Sequence, residues 1–155
     1  MTNDDDMRSE ISVYFEFAGF DIDPDEITRL TGITPTRIRR AGDPIYGASL
    51  LSEEARQRIR VKVNRWDVNS GLDPNVDLPT QVKALFERLE PAWDRFIELS
   101  QQYVPVMECI VKSYGGDRPQ IFFDKEVIRK LAELNAEIGV DLYVSGLPLS
   151  RLKIK

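Results

Sequence analysis

The chain reads as an α+β domain: a largely antiparallel sheet of about five or six strands with two or three helices packed on one face. Three observations predict this. Segments of strict apolar and polar alternation recur at residues 11–17, 57–70, 107–111 and 140–144, the period of strands with one buried face. A long three-and-four apolar spacing runs from Val82 to Ile97, the signature of a helix lying on a core. The elements also come as strand, short helix, strands, long helix, hairpin, helix, strand, an order that fits helices gathered on one side of a mainly antiparallel sheet.

The chain in order justifies each element. Residues 1–9 are acidic and without period, and read as a tail before a single domain spanning 10–146. Ile11, Val13, Phe15 and Phe17 then share one face of a strand, with Ser12, Tyr14 and Glu16 on the other. After Gly19, Asp23 is placed to cap a short helix, with Pro24 at its first position, Glu26 in its first turn and Gly32 at its end. Thr34-Pro35 disfavours helix, so the segment through Ile38 reads as extended and is followed by a loop rich in glycine and proline. Ser52, Glu53 and Glu54 can start a helical turn.

From Gln57 to Ser70, Ile59, Val61 and Val63 alternate with Arg58, Arg60 and Lys62. The expected strand changes phase at Asn64, because Trp66 and Val68 fall on the parity that was polar. A bulge or a strand covered on both faces would account for this.

Pro91 interrupts the long helical region without changing its apolar phase, which predicts a kink or two nearly collinear helices. Met107, Cys109 and Val111 share one strand face, and Gly115-Gly116-Asp117 signals a turn. Residues 120–123 are expected to return as the second strand of a hairpin. Asp124 caps a helix with an apolar stripe of Val127, Ile128, Leu131, Leu134 and Ile138, ended by Gly139. Val140, Leu142 and Val144 make a last strand, and 147–155 reads as a C-terminal tail.

Composition narrows the chemistry. The 155 residues contain no histidine and one cysteine, which removes the commonest general base and metal ligand and any internal disulfide. The acidic N-terminus lacks the basic and apolar regions of an export signal, no apolar run approaches the roughly 20 residues of a membrane span, and a cytoplasmic protein is expected. Asp21, Asp23, Asp25 and Glu26 match the first ligand spacing of a calcium loop, but Glu26 stands where glycine is required and Gly32 where a bidentate glutamate is required. No phosphate-binding loop, dinucleotide fingerprint or nucleophile elbow occurs. Catalytic residues, metal sites and cofactors are all expected to be absent.

The net charge of -5 is unevenly spread. Residues 29–65 hold nine basic and three acidic side chains, and the rest of the chain holds 12 and 23, so a +6 segment sits in a chain that is otherwise -11. Arg58, Arg60 and Lys62, with Arg37, Arg39 and Arg40 upstream and Tyr14 and Tyr143 on the polar parity of other strands, form the candidate binding face. An acidic protein partner is the favoured ligand. Single-stranded nucleic acid is the alternative for the same face, although Glu16 and Glu108 on the same parity can pair with the arginines. A third reading is a carboxylate-based hydrolase using some of Asp21, Asp67, Asp73 and Asp77.

The segments FAGFDIDPDEITRLTGITPTRIRRAGDP, RWDVNSG, VKALFERLEP and IFFDKEVIRKLAELNAEIGVDLYVSG together resemble a bacterial family of domains of unknown function, family 4279. The likeness covers most of residues 10 to 146 and implies one intracellular α+β domain. It carries over no catalytic residue, cofactor or activity.

Overall fold

The structure is a computed structural model, and residues 8–45 and 51–146 are described. Five strands form one mixed sheet in the order β2-β3-β1-β4-β5. They are β1 (Glu10–Phe20), β2 (Arg37–Arg39), β3 (Asn64–Asn69), β4 (Val106–Ser113) and β5 (Glu137–Val144). All neighbours pair antiparallel except β4 and β5, which run parallel. Helices α1 (Pro24–Thr31), α3 (Leu78–Leu89), α4 (Trp93–Ser100) and α5 (Lys125–Glu133) supply the core layer on one face, while α2 (Glu53–Arg58) buries no residue. The expected tails, 1–9 and 147–155, lie mostly or wholly outside the described residues.

The alternation in β1 does what the sequence predicts. Ile11, Val13, Phe15 and Phe17 are buried among the helices. Past Phe17 the phase changes: Ala18 pairs with Arg65 and Phe20 with Asn64, so Gly19 is an extra residue on β1, held at a φ of 75°. This bulge lets the even-numbered Phe20 join the odd-numbered core residues, and Phe20 is accordingly buried.

The bulge expected near Asn64 therefore lies on the facing strand. The 57–70 segment is not one strand. Ser52 caps α2 by accepting a hydrogen bond from the Ala55 amide, and the helix-favouring Glu-Glu-Ala-Arg-Gln-Arg run continues to Arg58. Residues 59–63 then form a connection touching Pro44 through a single bridge at Arg60. Ile59 and Val63 are 41% and 38% exposed rather than core. β3 starts at Asn64, and from its first residues Trp66 and Val68 point into the core with no change of phase.

Pro91 acts as expected. One 3-10 turn, Glu90–Ala92, joins α3 to α4, and Val82, Leu85, Phe86 and Leu89 of α3 and Phe96 and Leu99 of α4 are buried in the same core. Trp93 donates its indole N–H to Glu133, linking α4 to α5 at 2.7 Å.

Two expectations fail at the C-terminal end. Residues 120–123 form no strand and no hairpin, and the partner of β4 is β5, reached through α5. The alternation signal is only four residues long there, too short to define a strand against the Asp124 cap that follows it. The α5 helix also ends earlier than Gly139: Asn135 takes a left-handed φ of 50° and the chain reverses there. Ile138 consequently belongs to β5. Gly139 has another reason to be small, since the Glu108 carboxylate lies where a Cβ would stand.

Candidate interaction site

The side of the sheet without helices carries the polar parity of every strand. Across it run Arg37 and Arg39 of β2, Arg65 and Asp67 of β3, Tyr14 and Glu16 of β1, Glu108 of β4 and Asp141 of β5, placed by the strand registers. The charge changes sign from one end to the other. Cations dominate at β2 and carboxylates toward β5.

Ion pairs tie the middle together. Arg65 Nη1 donates to Glu16 Oε1 at 2.8 Å, and Arg37 Nε donates to Asp67 Oδ2 at 2.9 Å. The Arg37 guanidinium also lies over the Tyr14 ring, 5.9 Å from its centroid, close enough for a cation–π contact. Asp67 is only 1% exposed, and its Oδ1 has no hydrogen-bond partner among the described residues. The Arg37 contact is thus the compensation for a buried carboxylate.

At the β2 end, Arg37, Arg39, Arg60, Lys62 and Arg65 line a cleft of about 650 Å³ with Ile38, Ile45, Val61 and Val63, and among the described residues Asp43 is the one carboxylate in its wall. Arg60 Nη1 donates to the Gly42 carbonyl at 2.9 Å, which fixes its stem along the rim. Arg39 and Lys62 make no ion pair among the described residues. A second groove, of about 720 Å³ between α3 and α5, sets Lys83 and Lys130 against Glu87, Glu90, Asp124 and Glu126, so its carboxylates outnumber its cations and it does not favour an acidic ligand.

The candidate residues named from sequence are thus divided. Arg60 and Lys62 line the cleft, but from a connection rather than a strand face. Arg58 ends α2, exposed, beside the negative end of that short helix. Tyr14 lies under Arg37 on the open face and does not line the cleft. Tyr143 is on β5, at the far end of the sheet. Arg37 and Arg39, placed upstream of this face from sequence, also line the cleft. Sequence reading missed Arg65 and the apolar floor, because the segments that bring them together are not neighbours in the chain.

The carboxylates considered for hydrolysis occupy separate places. Asp21, at one end of the β1–β3 pair, accepts the Tyr103 hydroxyl at 2.6 Å, which holds the Asp21 carboxyl below its ordinary value and the Tyr103 phenol above. Asp73 and Asp77 are at the other end, where Asp73 closes a turn on the Asn75 amide and Asp77 caps α3 through Thr80. Among the described residues no three acidic or sulfur side chains gather in a way that could hold a metal ion. Cys109 is fully buried, and burial, with Glu108 adding to it, pushes its thiol up to about 12.

At the acidic end, burial raises the Glu108 carboxyl, and the neighbouring Asp141 and Glu16 charges raise it further. A carboxyl whose pKa is higher in the folded than in the unfolded state favours folding while protonated, and that contribution is lost as pH rises through the folded value. Glutamine copies the protonated form. Glu108→Gln is therefore expected to raise the thermal midpoint at pH 7 and to leave it unchanged at pH 3. A wild-type protein with the higher midpoint at pH 7 would mean that Arg65 outweighs the repulsion.

The fold and this face define a small α+β domain with a charge-graded open sheet and a basic cleft at one edge. The chain belongs to a family described as a domain of unknown function, DUF4279, whose model matches residues 9–145. No curated relative and no solved structure matches it. Among the described residues, no helix is long and apolar enough to cross a membrane.

Proposed function

We propose that the chain is a non-catalytic protein-interaction module whose basic cleft beside β2 takes an acidic, extended segment of a partner protein. The observation that carries this reading is the cleft wall: five cations over an apolar floor, three of them, Arg39, Arg60 and Lys62, without an ion-pair partner among the described residues. Apolar floor and charged rim together suit a peptide whose side chains alternate between the two, with β2 offering its backbone a strand edge that is unpaired among the described residues. The setting is the reducing interior of a bacterial cell, which the lone buried thiol supports.

The test is fluorescence anisotropy with a labelled peptide of alternating glutamate and valine. Binding is expected to weaken with salt, as for any contact between exposed charges, and to fall by about tenfold or more in the Arg39→Glu, Lys62→Glu double variant. A single-stranded oligonucleotide should not compete. Competition by the oligonucleotide at equal concentration would turn the reading toward nucleic acid, and absence of peptide binding would end it.

A further inference from the structure

The two ends of the sheet carry matching chemistry. Among the described residues β5 is an edge strand, and its eight residues include no lysine, arginine or proline, an unusual omission for a strand in that position. Its register with β4 puts Ile138, Val140 and Leu142 beside Met107, Cys109 and Val111, on the helix side. The helices do not reach that far: Val140 and Leu142 are 40% and 55% exposed, whereas their partners on β4 are fully buried. On the opposite side, Asp141 projects near the Glu108 carboxylate of β4. The free edge of β5 therefore asks for a strand that is apolar on one face and basic on the other.

β2, at the other end of the sheet, is that strand. Ile38 pairs with the buried Trp66 and so lies on the helix side, while Arg37 and Arg39 pair with Asp67 and Arg65 on the open side. Direction agrees as well. Following the pairings along the sheet, β2 runs with β1 and β5 runs against it. A second copy displaced sideways along the sheet, without being turned over, brings its β2 antiparallel to β5 and keeps both helix layers on the same side. Antiparallel is the more stable pairing, and a continuous apolar layer meets a continuous one.

We propose that the acidic edge of β5 docks into the β2 cleft of a second copy of this chain, head to tail, extending the sheet across the contact. This rests on the cleft reading above and names its partner. Because the two surfaces differ, each added copy leaves one of each free, and the assembly is open-ended. β2 has three residues, so the contact is small and association depends on concentration. The overall charge of -5 opposes it at long range. At about 0.15 M ionic strength, where charges are screened beyond about 8 Å, that repulsion fades faster than the local pairing.

Sedimentation velocity at that ionic strength, over a rising concentration series of the full chain, is expected to show an average mass that climbs past the dimer. Arg39→Glu, which spoils only the β2 edge, and Asp141→Arg, which spoils only the β5 edge, are each expected to stay monomeric, with circular dichroism verifying their folds. Mixed in equal amounts, they should associate again past the dimer, because every contact between the two variants pairs opposite charges. The double variant Arg39→Glu, Asp141→Arg should associate again.

A wild-type chain that stays monomeric overturns the proposal, as does a dimer of Arg39→Glu alone, which would indicate β5 pairing with itself. An inert mixture overturns it as well. Binding of the acidic peptide to Asp141→Arg separates the two readings. If the peptide binds while the wild type does not self-associate, the cleft stands as a binding site and the second copy is not its partner.

Discussion

Trp66→Ala is expected to cost about 3–5 kcal/mol of folding stability, the range for removing a fully buried large aromatic side chain. Trp66 has no exposed surface, and its ring lies 6.4 Å from Phe17 and 5.9 Å from Phe96, joining the centre of the sheet to α4. Its indole N–H donates to the Thr28 hydroxyl at 3.0 Å, which ties β3 to α1. Alanine leaves a cavity where three elements meet and takes away the Thr28 partner. For a domain of this size each kcal/mol moves the thermal midpoint by about 2–4 °C, so a fall of roughly 10 °C is expected. Trp66→Phe keeps the packing and loses the hydrogen bond, and should fall between the two. Urea unfolding with a lower midpoint and an unchanged slope would locate the loss in the native state, whereas an unaltered midpoint would be incompatible with a buried Trp66.

Gln81→Leu carries the second large effect, by a different route. Gln81 is 1% exposed in the first turns of α3. Its amide nitrogen donates to the carbonyls of Ile11 at 2.6 Å and Val76 at 3.1 Å, with Asp73 at 3.3 Å, and its amide oxygen accepts the Ser70 hydroxyl at 2.8 Å. One side chain thus holds the start of β1, the end of β3 and the loop before α3. Leucine fills a similar volume but takes the Gln81 donor from the Ile11 and Val76 carbonyls, whereas the Asp73 carbonyl keeps the Val76 amide and the Ser70 hydroxyl still accepts the Leu72 amide. At about 1–3 kcal/mol for each of the two stranded carbonyls, a loss of about 2–6 kcal/mol is expected. Gln81→Glu should be worse at pH 7, since a carboxylate would face carbonyl oxygens, and should improve toward acid as it regains a proton to donate. A Gln81→Leu protein as stable as the wild type would mean that water reaches those carbonyls.

Much of this was legible in the sequence because local chemistry and fold agree. Asp23, Pro24 and Gly32 bound α1 as their side chains and backbone freedom require, with the Asp23 carboxylate accepting from the Asp25 amide and Gly32 at a φ of 68°. Pro91 interrupts the long helix without turning it from the core. The failures share a cause. At residues 57–63 a capped helix competes with apparent alternation, and periodicity cannot weigh the Ser52 cap against it. At 120–123 and at Gly139, turn residues were read for their usual roles, while the actual reversal falls at Asn135. The candidate site was legible as a segment of positive charge but not as a place. Arg39 and Lys62 meet across the cleft only because β2 and the connection before β3 are folded against one another, and Gln81 looks in the sequence like any polar residue on a helix.

The position of β1 has a consequence for synthesis. β1 is the first strand made and the central one, and its two neighbours are completed only at Asn69 and Ser113. At about 5–20 residues per second, the 93 residues between the ends of β1 and β4 take roughly 5–20 seconds to translate. For that interval the nascent chain displays Ile11, Val13, Phe15 and Phe17 on a strand with no lateral partner on one side. That unpaired apolar strand is an aggregation hazard until β4 is made.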